Sequence, residues 1–194
     1  MALIYPLSTP TSIGIAQIEF RAINAVAESK SLFTFQSQIH LYEGQAWEVD
    51  VTIPPVHKDL AEDWVAFLLA LRGKSGTFLI GDPNYNGPRG TATSLSVTGS
   101  LGDTSVSATL VGSMKAGDWF SLGSGSSTRL YKVVQDISGS GTMEIYPALR
   151  AGASSASAEI DEPKGCFRLS SNETAWSINE TSSYGISFGG KEVI

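Results

Sequence analysis

The chain predicts a mainly β protein with one α-helix: a β-sandwich packed on a helix, with a second, small β-barrel-like module inserted. Three observations predict it. Apolar residues alternate with polar ones on either side of residue 44. One stretch, and only one, carries a convincing 3.6-residue apolar period. Beyond residue 90, short alternating runs are separated by Gly- and Ser-rich turns every 8–12 residues, the pattern of a small barrel or sandwich.

The elements follow in chain order. Residues 15–20, IAQIEF, alternate and suit a first strand. From 33 to 42, Phe33, Phe35, Ile39 and Leu41 share one face, and Gln36, Gln38 and His40 the other. Glu43-Gly44-Gln45 reads as a turn. Next, Trp47, Val49, Val51 and Ile53 oppose Glu48, Asp50 and Thr52, which predicts a hairpin with one face on a core. Pro54-Pro55 is expected to end its second strand, because proline cannot donate to a ladder.

A helix is predicted over 58–72, with Leu60, Trp64, Phe67, Leu68 and Leu71 as the buried stripe. Asp59, Glu62 and Asp63 at its start and Arg72 at its end suit the helix dipole. Gly73 supplies a left-handed residue beyond it. Thr77–Ile80 forms another strand, and the turn-rich run 84–90 marks a module boundary. The expected division is therefore 1–90 plus 161–194 as the outer module, with 91–160 inserted as the second β module. The tail strands, CFRLSS, TAWSINE and YGISFGG, return to the first sheet.

Charge and composition narrow the function. Charged residues make up 16% of the chain against a typical ~25%, so extensive subunit contact is tolerable. A net charge of −6 with scattered Lys and Arg argues against binding nucleic acid. One cysteine, Cys166, excludes an internal disulfide and reads as a buried small hydrophobe. The start lacks the basic and apolar regions of a secretory signal, and no run reaches the length of a membrane helix, so a soluble protein made in a cytoplasm is expected. Sequons at Asn172 and Asn179 are assigned no role.

Catalytic chemistry finds little support. His40 and His57 are the only imidazoles, and no HxH, HExxH or CxxC occurs, so no metal or cofactor is expected. No G-x-S-x-G is present. Glu48 and Asp50 share a strand face about 7 Å apart, which fits neither glycosidase geometry securely. They read instead as an interface or lumen face. Asp82, Asp103 and Asp118 sit in Gly-flanked turns, where aspartate caps backbone. Trp119, Phe120, Tyr131 and Tyr146 are candidates to stack on sugar rings, with one of Trp119 and Phe120 in the core and the other exposed. Trp119 and Tyr131 are the candidate glycan or partner contacts.

One resemblance is carried by residues. Trp47-Glu48-Val49-Asp50-Val51, Pro54-Pro55, Ala61-Glu62-Asp63-Trp64 with Phe67-Leu68, and Leu71-Arg72-Gly73 to Gly76-Thr77-Phe78 resemble distal and related minor tail proteins of long-tailed (siphovirus-like) bacteriophages. The likeness covers about the first 90 residues. Lys115-Ala116-Gly117-Asp118 and Ile145-Tyr146-Pro147-Ala148-Leu149-Arg150 look like the small β modules inserted in phage structural proteins. The resemblance implies a non-enzymatic virion protein at the tail tip, made in the host cytoplasm. It implies a hexameric ring joining the tail tube protein to the baseplate hub and tail fibre proteins, with DNA passing through the lumen without specific binding. A lumen lined by Glu48 and Asp50 would repel phosphate. Alternatives are another tail tube or tail-completion protein, or a carbohydrate-binding module for a cell-surface glycan.

Overall fold

The computed structural model describes residues 3–180 and 182–194; Thr181, the last residue of the second sequon, lies outside them. The strands are β1 (Leu7–Ser8), β2 (Gln17–Lys30) and β3 (Ser37–His57), followed by α1 (Lys58–Leu71) and β4 (Phe78–Ile80). Next come β5 (Ser94–Gly99), β6 (Ser105–Val111), β7 (Ser113–Met114), β8 (Trp119–Leu122), β9 (Arg129–Val133), β10 (Ile137–Ser138), β11 (Gly141–Tyr146) and β12 (Ala153–Ala158). The chain closes with β13 (Gly165–Leu169), β14 (Trp176–Ile178) and β15 (Ser183–Glu192). Strands hold 51% of the residues and helices 10%, which makes the protein mainly β.

Two large curled sheets result, and β7 and β10 pair as a separate two-stranded ribbon. The first runs β1-β4-β13-β15-β3-β2, with β14 also paired to β15. The second runs β12-β5-β6-β11-β9-β8. Its ends meet through Ser121 and Glu159, whose backbones exchange two hydrogen bonds of 2.9 Å, so it nearly closes into a barrel. The barrel strands come from one stretch, Ser94 to Ala158, while β13–β15 return to the first sheet.

The helix packs on the face of the first sheet that carries Val49, Val51 and Ile53. Its buried residues are Ala61, Trp64, Val65, Phe67, Leu68 and Leu71. Leu60, expected in that stripe, is exposed, and Ala61 and Val65 take the contact instead. The buried stripe is rotated toward Ala61 and Val65, which leaves Leu60 at its margin. Arg72 lies past the last turn: it is itself left-handed (φ 52°), and Gly73 repeats the left-handed conformation (φ 65°). The Gly76 amide then donates to the Leu71 carbonyl at 2.7 Å.

Three sequence expectations about β2 and β3 fail, each for a physical reason. Glu43-Gly44-Gln45 is not a turn; β3 runs straight through it. Pairing shifts from Asn24↔Gln45 to Val26↔Leu41, so the triplet Tyr42-Glu43-Gly44 opposes Ala25 as a bulge. A glycine inside a strand has this second meaning. The hairpin turn lies earlier, where the Phe35 amide donates to Ser31 and the Ser31 amide to Gln36. Pro54-Pro55 does not end the strand either. Both sit at a second bulge, between Ile53↔Ile186 and Val56↔Tyr184, and beyond the last pair to β2, Thr52↔Gln17. No ladder hydrogen bond is lost there, so proline is tolerated. The first strand, expected over 15–20, extends to Lys30 because its second half pairs with the far half of β3.

The hydrophobic interior has two parts. One lies between α1 and the first sheet and includes Trp119 and Leu130 from the barrel. The other fills the barrel around Val97, Met114, Phe120, Tyr131 and Met143. Trp119 and Leu130 therefore join the modules through shared apolar contact.

Candidate assembly surface

From residue 21 to residue 44, every residue but Ser31 is exposed. Beyond the pair Asn24↔Gln45, the outer halves of β2 and β3 leave the sheet as a two-stranded arm, and no other element among the described residues covers either face. The pairs Val26↔Leu41 and Glu28↔Ile39 continue, with the same strand parity, the face that carries Phe20 and Val49 at the base. Leu41 and Ile39 are 68% and 69% exposed, and Phe33 and Phe35 in the tip turn are 96% and 72% exposed. The expectation that Phe33, Phe35, Ile39 and Leu41 meet this chain's core is overturned. Ile39 and Leu41 share a strand face, whereas Phe33 and Phe35 lie in the turn before β3, and no layer among the described residues covers any of them. His40 and Gln38 lie on the opposite face, and Lys30 Nζ stands 5.5 Å over the Phe35 ring.

The outer face of the sheet base carries Glu48 and Asp50. Arg21 Nη2 lies 2.7 Å from Asp50 and 3.7 Å from Glu48, and Lys191 Nζ lies 2.7 Å from the other Glu48 oxygen. Arg21 and Lys191 therefore answer Glu48 and Asp50, while Glu19, paired with Asp50 across the ladder, keeps one carboxylate in excess on this face. The signal missed was register: Arg21 and Lys191 both pair with Glu48 across neighbouring strands.

Trp119 and Tyr131 are in the interior, 4% and 1% exposed. The expected alternation, with one of Trp119 and Phe120 outside, fails because both faces of β8 are covered. Trp119 faces the first sheet, with ring centres 5.1 Å from Trp47 and 5.2 Å from Phe20. Phe120 stacks on Tyr131 inside the barrel at 5.3 Å. Lys132 Nζ sits 4.0 Å over the Trp119 ring, and burial pushes its pKa down. Neither Trp119 nor Tyr131 offers an open ring face to a sugar, which corrects that expectation. The Tyr131 hydroxyl accepts from the Arg150 amide, and burial raises its pKa.

Several other polar residues hold neighbouring backbone in place. Asp118, fully buried, accepts from the Arg89 side chain at 2.9 Å and from the amides of Arg89 and Lys115. Asp82 and Asp103 cap the amides of Asn84 and Ser100. Tyr85 donates to the Trp119 carbonyl, and its phenol is pushed up to about 12, first by burial and then by the Asp118 charge. Burial likewise raises the Cys166 thiol pKa. A cleft of about 520 Å³ lies between residues 80–86 and 161–164, lined by Asp82, Asp161, Glu162 and Lys164. Among the described residues, no three His, Cys, Asp or Glu side chains gather as a metal site. No helix among them is long and apolar enough to cross a membrane. No protein-family model matches the chain, and no curated protein matches it significantly.

Proposed function

We propose that this chain is a non-enzymatic structural subunit of a bacteriophage tail, forming a ring at the distal tail in which the arm of each copy lies on its neighbour. The arm is the observation that carries this reading. Val26, Phe33, Phe35, Ile39 and Leu41 are large, exposed and gathered on one two-stranded projection. Each is worth about 1.5–3 kcal/mol when fully covered. Five together are of the same order as the ~4–15 kcal/mol that association costs in lost freedom. One arm alone is therefore marginal, whereas a closed ring engages every subunit twice, once as donor and once as acceptor. The β2 edge supports the same reading. It ends the sheet order over 14 residues, and a long open edge is a template for pairing with another chain.

Within such a ring, the polar outer face with Glu48, Asp50, Arg21 and Lys191 suits a lumen wall that passes DNA without holding it. The tail tube protein above, and the baseplate hub and fibre proteins below, are the further partners in this proposal. The resemblance in residues 47–78 supplies the tail-tip setting.

Light scattering across concentrations, with negative-stain images, tests the ring. The native protein is expected to give closed rings. A Phe33→Ser, Phe35→Ser variant is expected to remain monomeric with an unchanged fold. A native protein that is monomeric at every concentration, or rings formed equally well by the variant, would refute the proposal.

A further inference from the structure

The base of the arm is held by the barrel. Gln45, paired with Asn24, flanks the bulge where the arm leaves the sheet, and Ile23, paired with Ala46, lies one step inside it. The barrel segment 146–150 grips both. Tyr146 donates its hydroxyl to the Ile23 carbonyl at 3.0 Å. The Ala148 amide donates to Gln45 Oε1 at 2.7 Å, and Arg150 Nη2 donates to the Gln45 carbonyl at 2.6 Å. Arg150 Nη2 also meets Glu192 Oε2 at 3.0 Å, with the Glu192 side chain 1% exposed. That same carboxylate oxygen accepts from the Trp47 amide, two residues further along β3. Arg150 is fixed from behind as well, since its own amide donates to the Tyr131 hydroxyl in the barrel interior.

We infer that the inserted barrel is a splint: Arg150 and its segment lock the direction in which the arm leaves the sheet. A two-stranded ribbon with no layer on either face has little to resist bending and twisting by itself. Its direction is set where it is fastened. Here three hydrogen bonds join both strands of the arm to one turn, and a buried ion pair to Glu192 of β15 holds Arg150 in that turn. Such a pair favours one geometry, because any displacement leaves buried charge without its partner. This gives the insert a role that needs no ligand of its own. An arm already aimed loses less freedom on docking.

The test reads a single chain, so its failure is separable from failure of the ring. Spin labels at Ser29→Cys on the arm and Ser107→Cys on the barrel, diluted into unlabelled protein, report the arm-to-barrel distance; Cys166 is buried and stays unlabelled. The native distance distribution is expected to be narrow. Arg150→Met with Glu192→Gln removes the ion pair without stranding a charge, and the Gln carbonyl still accepts from the Trp47 amide. It is expected to broaden the distribution about twofold. A second variant, Gln45→Ala with Tyr146→Phe, leaves the ion pair intact and is expected to broaden it by a smaller factor. If the first variant fails to fold, the second decides alone. A native-like width in the folded variants overturns the splint.

Discussion

The two halves of β3 obey the same sequence rule and meet opposite fates. Near the helix, Trp47, Val49, Val51 and Ile53 alternate with polar residues and are all buried. In the arm, Ile39 and Leu41 alternate just as cleanly and are exposed. Both halves pair with β2, so the difference lies in the third dimension. The base has α1 and the barrel packed on it, and the arm has neither. Period-2 alternation states that a strand has an apolar face. It does not say which molecule supplies the cover.

The same substitution at both ends gives the sharpest separation. Ile53→Ala is expected to cost about 2–5 kcal/mol, as transfer and cavity terms add in a packed core. Ile39→Ala is expected to stay within about 0.5 kcal/mol in the monomer. Urea unfolding of both reads the contrast directly. Equal losses would show that the arm is covered within its own chain. A step smaller is Trp47→Phe, at the boundary between the halves. Its indole N–H donates to the Leu130 carbonyl at 3.1 Å. Losing it and some packing is expected to cost about 1–3 kcal/mol, measured in the same way, and no measurable cost would mean the barrel contact contributes little to the base. Smallest of all is Asp50→Asn. Its pair with Arg21 is half exposed on both sides, and such pairs contribute about 0–1 kcal/mol. That loss is expected to shrink further as salt rises, and a salt-independent loss would argue against an exposed pair.

Much of the fold was legible in the sequence. The helix could be placed because the spacing of Trp64, Leu68 and Leu71 leaves one burial solution. The barrel was legible because short alternating strands between Gly-rich turns have few other outcomes. Local rules also found the capping roles of Asp82, Asp103 and Asp118, since each bonds amides close in sequence. What they misread were features with two structural uses. Gly44 serves a bulge as readily as a turn, and Pro54-Pro55 suits a strand wherever no partner wants its N–H.

The candidate site was less legible. Phe33 and Phe35 stood out as apolar, but only the fold shows that no described residue of this chain buries them. Glu48 and Asp50 looked like an acidic face until register placed Arg21 and Lys191 beside them. Trp119 and Tyr131 looked available to a ligand until two modules closed over them. Arg150 and Glu192 left no sequence signal, because a contact across 42 residues has no period.

By itself, then, the sequence determined the one helix, the alternating strand at its N-terminal side and the turn-rich insert, because these follow from backbone preference and the spacing of apolar residues a few positions apart. Only the tertiary structure decided which apolar face is core and which is left open, which charges cancel, and where the barrel grips the arm. Those outcomes depend on what lies on the other side of a strand, and neighbours in space need not be neighbours in the chain.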